Sequence, residues 1–229
     1  LSLHDALPIF TSANLISRFP NEDKFSFSIK SENNNQKITT LNSDNAEPFV
    51  KNYKFIKGFE GGKIDFFSIN KNNVSKSNIK IFKFKVKEVP ALATLLSLAS
   101  LQGIADLMTG EGIRFEEFDM KFSNKNDLMT IDEIYAIGPA ISILMNGYVE
   151  KNNLISLRGT LVPATTLNKV IGSIPFLGKI LVGKNIGEGV FGVSFKIKGS
   201  PKDLKTTVNP IKTLTPRFIT RTLEKIKKN

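Results

Sequence analysis

Cysteine and tryptophan are absent from the 229 residues, and histidine occurs once, at His4. Without cysteine there is no disulfide framework and no thiolate chemistry. His4 falls within residues 1–9, an expected artefact, and without it the plentiful Ser and Thr hydroxyls have no imidazole base to activate them. A metal would have to be held by carboxylates alone. The adjacent pairs Glu116-Glu117 and Asp132-Glu133 do not offer that, because neighbours on a strand point to opposite faces. They read as solvated strand residues. GFEGGK, GEGIRF and GEGVFG lack the lysine and hydroxyl of a phosphate-binding loop and read as turns and strand entries. The chain is therefore not expected to be an enzyme, and no metal or cofactor is expected.

Long apolar runs are missing too. None reaches the ~18–20 residues that a spanning helix needs. The nearest approach is LVPATTLNKVIGSIPFLGKILVG, residues 161–183, which has no acidic residue and only Lys169 and Lys179 as charges. Pro163 and Pro175 break it, and Gly172, Gly178 and Gly183 punctuate it. Acidic residues are also scarce, 21 against 32 Lys and Arg, for a formal charge of +11. That excess points to an anionic neighbour, a nucleic acid or an acidic membrane surface.

What is abundant is phenylalanine, 18 copies, much of it in period-two alternation. Phe25, Phe27 and Ile29 share one face of KFSFSIK. In FKFKVK, Phe82, Phe84 and Val86 face one way and Lys83, Lys85 and Lys87 the other. Ile141, Ile143, Met145 and Val149 alternate in the next such run. So do Phe191, Val193, Phe195 and Ile197. IRFEEFDMKF changes phase at Glu116-Glu117, and a β-bulge there would keep Ile113, Phe115, Phe118, Met120 and Phe122 on one face. Turn-rich stretches at 31–36, 59–63, 69–78, 123–127 and 150–153 separate the strands. The pattern predicts an antiparallel meander, not a βαβ sheet. Separation of Phe from Lys across the strand argues against a nucleic-acid surface, which needs both together.

Three segments interrupt the strand rhythm. Pro90 opens a helix that ends near Gly110, with Leu92, Leu95, Leu96, Ala99, Ile104, Leu107 and Met108 suited to an apolar surface. Residues 161–183 read as two short helical pieces stopped at Pro175. The end, PRFITRTLEKIKKN, reads as a basic amphipathic helix with Phe218, Ile219, Leu223 and Ile226 as its stripe. The run SLHDALPI looks like a translated sequencing-adapter oligonucleotide. Residues 1–9 are thus an expected artefact, His4 with them, and 10–229 form one domain. The fold class expected is mainly β: a curled antiparallel sheet, groove or half-barrel, with a few short amphipathic helices over its apolar face. That face needs a cover, since an exposed one would not stay soluble. The cover is either a closed core with helical plugs, or acyl chains held by a curled sheet.

The second half resembles a known family. VPALATLLSLASLQGIADLMTGEGIRFEEFDMKF is similar to a segment of the AsmA-like C-terminal family, in its large YhdP-type bridge proteins. Pro90, Leu92, Leu95, Leu96, Ser100, Leu101, Gly103, Gly110, Gly112, Ile113 and Phe115 carry the match. Gly159, Pro163, Asn168, Ile174, Pro175, Gly178, Gly183, Gly189, Phe191 and Gly199 extend it. Asn209, Pro210, Leu214, Pro216 and Arg221 match the ending, with Arg217 where the family has glycine. The resemblance implies a periplasmic protein held to the inner membrane by an upstream segment, moving phospholipid between the two membranes. On it, Phe82, Phe84, Phe115, Phe118, Phe191 and Phe195 would line the lipid path. Val170, Ile171, Ile174, Phe176, Leu177, Ile180 and Leu181 would cap the groove or dip into a membrane surface. Arg217, Arg221 and Lys225 would meet anionic headgroups. An envelope protein bound through the apolar hairpin is the alternative partner; nucleic acid is not expected.

Overall fold

The computed structural model describes residues 12–33, 36–51, 57–99, 101, 104, 110–151, 154–163, 192–211, 217–218, 220–221 and 224. Eleven strands form one sheet in chain order. They are β1 (Ser12–Arg18), β2 (Lys24–Asn33), β3 (Gln36–Ser43), β4 (Lys57–Lys71), β5 (Val74–Lys87), β6 (Ile113–Lys125), β7 (Leu128–Ile137), β8 (Ile141–Glu150), β9 (Ile155–Pro163), β10 (Gly192–Ser200) and β11 (Asp203–Ile211). Every neighbouring pair is antiparallel, so the sheet is the expected meander. It is not closed into a barrel: among the described residues β1 and β11 do not pair. Among the described residues two short helices with defined bounds accompany it, α1 (Glu47–Val50) and α2 (Pro90–Leu98).

The turns are tighter than the Asn-rich composition predicts. Between β4 and β5 only Asn72 and Asn73 turn, both with positive φ, 52° and 61°. Asparagine tolerates that conformation and so suits a two-residue hairpin. Asn126 does the same between β6 and β7, with φ 52°.

The stretch 59–63 is not a turn. It lies inside β4, where Gly61 and Gly62 have φ of 69° and 83°. There the strand changes which parity of residue faces the core. Phe59 is buried before the pair; Ile64 is buried after it. β5 does the same across Phe82-Lys83, with Phe84 and Val86 on one side and Ile79 and Ile81 on the other. Lys83 has φ 53°. In β6 the change falls at Glu116-Glu117, as its sequence phase indicates, and all five apolar residues around it join the core clusters. The mechanism differs from the expected bulge. Pairing holds its register through the step, Phe82 with Glu117 and Phe84 with Phe115. Gly61 likewise pairs with Phe84 and Lys63 with Phe82. Three strands therefore reverse face together along one row. β7 makes its own change through a bulge beside Asp132-Glu133.

The core lies on one face of the sheet. α2 lies there, and its Leu95 and Leu96, 2% and 0% exposed, belong to one core cluster with Phe84, Phe115, Ile143 and Phe195. Pro90 sits in the first turn, where its missing N–H costs nothing. α2 follows β5 in the chain yet lies against β11. A flat sheet would set β4 and β10 about 29 Å apart, six spacings of ~4.8 Å. Side chains from both strands reach one core cluster, so the sheet must bend around it.

The reversal makes a specific prediction. A methyl at Gly62 would sit 2.9 Å from Phe84 Cβ, whereas at Gly61 the nearest atom is 3.9 Å away. Both substitutions carry the positive-φ penalty, roughly 1–3 kcal/mol. Gly62→Ala should therefore destabilise more than Gly61→Ala in urea unfolding; equal losses would refute the clash.

Candidate functional site: an apolar cavity under the helix and an ion cluster behind the sheet

Three phenylalanines from adjacent strands begin the site. Phe59, Phe84 and Phe115 stack in file, with centroids 5.2 and 5.4 Å apart and planes at 17° and 15°. Register places Phe84 directly opposite Phe115, while the β4 partner of Phe84 is Gly61, so Phe59 joins the file from two residues before that glycine. Such pairs contribute about 0.5–1.5 kcal/mol each beyond burial. α2 runs above them, presenting Ala91, Leu92 and Leu95. Between helix and sheet lies a cavity of about 280 Å³, lined also by Met145, Phe195 and Ile197. Every described residue lining it is apolar. A space with no hydrogen-bond partner for water favours hydrocarbon.

Four of the six phenylalanines expected on a lipid path, Phe84, Phe115, Phe118 and Phe195, line this cavity. Phe82 does not. It belongs to the reversing pair, and Ile81 faces the core in its place. Phe191 and the capping residues Val170, Ile171, Ile174, Phe176, Leu177, Ile180 and Leu181 lie outside the described residues. Phe59 and Ile81 were missed by sequence reasoning because Gly61-Gly62 imitates a turn and Lys83 hides a change of phase.

The opposite face carries a different chemistry. Helical residues Arg217, Phe218 and Arg221 lie on β6 and β7. Phe218 is fully buried and meets Tyr135 edge-on at 6.4 Å. Arg221 reaches Asp119 Oδ2 at 2.9 Å and Glu133 Oε1 at 3.0 Å. Its guanidinium also lies 5.1 Å above the Tyr135 ring. Arg217 Nε donates to Glu133 Oε2 at 2.7 Å. Asn78 donates to Asp119 Oδ1 at 2.6 Å. Burial works against the Arg221 charge. The Asp119 hydrogen bond and both carboxylate charges outweigh it, so its pKa is raised.

Two expectations change here. Glu133 is not a solvated strand residue: its side chain is 4% exposed and held by two arginines. Arg221 is not a free cation awaiting a headgroup, and Arg217 is shared with Glu133. Lys225 lies outside the described residues. The arrangement binds the C-terminal helical residues to the sheet; nothing in it forms a nucleophile–base pair. Among the described residues no group of three or more His, Cys, Asp or Glu could hold a metal. No described helix is long and apolar enough to cross a membrane.

Comparisons with family models, with curated proteins and with solved structures find no match for this chain.

Removing one partner from a buried ion network leaves the others uncompensated, at about 3–5 kcal/mol. Arg221→Met should therefore cost roughly 3 kcal/mol, the low end, because Arg221 keeps some solvent contact. Arg217→Met, at an exposed position, should cost under about 1 kcal/mol. Equal losses in denaturant titrations would contradict this division. A second ion pair gives a pH test. Hydrogen bonds from Lys85 and Lys87 hold the Glu60 carboxyl below its usual 4.5. Its folded pKa is depressed, so its contribution is present above that value and lost as pH falls through the lower one. Glu60→Gln should therefore be less stable than the parent at neutral pH, and the small gap should close in acid. A gap that widens in acid would contradict the pairing.

Proposed function

We propose that this chain handles lipid: it holds acyl chain in a groove between its sheet and α2. The observation that carries this reading is the wholly apolar cavity lined by Phe84, Phe115, Phe118 and Phe195. Ligand sites of similar kind run from roughly 300 to 1,000 Å³ and are mostly apolar, with a few polar groups fixing orientation. This one has no polar lining residue among those described, so it selects hydrocarbon and not a functional group. Its volume suits a length of one acyl chain, with the headgroup left outside. Passage of such a chain needs no nucleophile.

The resemblance to AsmA-like bridge proteins supports the same reading and extends it. On that basis the chain is the C-terminal groove module of a periplasmic protein anchored to the inner membrane upstream. Its cargo is phospholipid moving between the inner and outer membranes.

The test is lipid extraction and mass spectrometry on the purified full chain, with an Ala91→Phe variant alongside. Ala91 lines the cavity, and a benzyl group there should intrude into it and shorten the space left for an acyl chain. The parent should carry roughly one phospholipid per chain. The variant should carry several-fold less, with an unfolding temperature no lower. A folded parent that emerges empty, and takes up no lipid from vesicles, would overturn the proposal in favour of a scaffold that binds an envelope protein. Unchanged lipid in the variant would place the lipid elsewhere.

A further inference from the structure

With Arg217 and Arg221 committed to internal carboxylates, the chain's excess positive charge must show itself elsewhere. Four exposed cations lie together on the outward face of β9, β10 and β11, with Asp203 the one exposed carboxylate on those strands. Arg158 stands directly opposite Lys196 across the β9–β10 pair. Lys198 stands directly opposite Lys205 across β10–β11. Lys196 and Lys198 are two apart on one strand and so point the same way. All four are exposed, while Phe195 and Ile197 between them are buried on the other face. Like charges directly opposite one another destabilise a sheet, and here two such pairs lie side by side. Among the described residues no carboxylate forms an ion pair with any of the four. Arg158 Nε donates to the Asn146 side-chain oxygen, 3.1 Å away.

A hollow of about 400 Å³ with polar groups at its rim and Leu144, Met145 and Phe195 in its wall adjoins Arg158 and Lys196. Asn146, Thr160, Ser194 and Asn209 line it together with Arg158 and Lys196. Of its two carboxylates, Glu133 is already taken by arginines and Asp132 lies exposed. Amides, hydroxyls and unpaired cations around one hollow are donors suited to a phosphate.

We propose that the outward face of β9–β11 docks on a membrane surface carrying anionic phosphate headgroups. For what the docking serves, the proposal rests on the lipid-handling reading above. Charge complementarity selects the occupant. The outward positions of β9–β11 bear no aromatic residue, so nucleic-acid bases would find nothing to stack on. They bear no large exposed hydrophobe either, so the face lies on headgroups without inserting and its binding falls with salt.

The experiment is vesicle sedimentation with the full chain. Vesicles of phosphatidylcholine with phosphatidylglycerol are compared with pure phosphatidylcholine. Acidic vesicles should be bound at least ~10-fold more tightly. Lys198→Glu/Lys205→Glu should remove about 10-fold or more of that affinity. Lys37→Glu/Lys71→Glu makes the same change in net charge at exposed positions on β3 and β4. It should cost less than about 3-fold. Lys198→Glu alone puts opposite charges face to face with Lys205. It should therefore fold with an unfolding temperature no lower than the parent's, while still binding vesicles less well. Equal loss from the two double variants would show that net charge, not this face, does the binding. Competition by inorganic phosphate at low concentration would reassign the hollow to a free anion. Tighter binding to a single-stranded oligonucleotide than to acidic vesicles would reassign the face to nucleic acid. Each of these results would overturn the proposal. Acidic-vesicle binding by a chain that carries no lipid would leave the docking face standing and sink the lipid-handling reading.

Discussion

Long strands that cross a curved core must keep their apolar residues on one side, and three of them here change parity midway. Gly61-Gly62, Phe82-Lys83 and Glu116-Glu117 solve the problem together. If one strand reversed alone, its register with both neighbours would slip or its hydrophobic half would face outward. Reversal along a shared row preserves pairing and keeps Phe59, Phe84 and Phe115 above the row on the same face as Ile64, Ile81 and Phe118 below it. Ala46 N–H donates to the Gly62 carbonyl at 2.7 Å, which ties the segment carrying α1 to that row. The aromatic file, the seat of α2 and the cavity all follow from this arrangement.

The two faces divide the work. The inner face is hydrocarbon throughout, from the phenylalanine file to Ile197. The outer face carries the ions, and it uses them in two ways. Around Asp119 and Glu133 they are paired, buried and structural. On β9–β11 Arg158, Lys196, Lys198 and Lys205 are exposed and in no ion pair among the described residues, with Asp203 the one exposed carboxylate on those strands. A formal charge of +11 conceals that distinction.

Much of the sheet was legible in the sequence because burial on one face forces period two. β8 and β10 keep one parity from end to end, and their alternations name the core residues Ile141, Ile143, Val193, Phe195 and Ile197. Simple alternation misleads where parity changes. FKFKVK reads as one uninterrupted face, yet Phe82 leaves the core because Lys83 adopts a left-handed backbone that an L-residue rarely takes. Gly61-Gly62 reads as a turn because glycine pairs usually are turns. The C-terminal arginines were misjudged for another reason. Their carboxylate partners lie 84 and 102 residues away in the chain, and no local pattern announces a contact at that range. Glu133 owes its burial to those arginines and to a bulge, neither visible in ASP-GLU as a dipeptide.

The central claim is that hydrocarbon occupies the space between α2 and the phenylalanine file. It is tested most directly by intermolecular NOEs between acyl-chain methylenes of a bound phospholipid and methyl-labelled protein. The account predicts contacts to Leu95 from the helix and to Ile143 from the sheet, since both line the cavity. Contacts confined to residues on the outer face, or none to either methyl while lipid is bound, would contradict it.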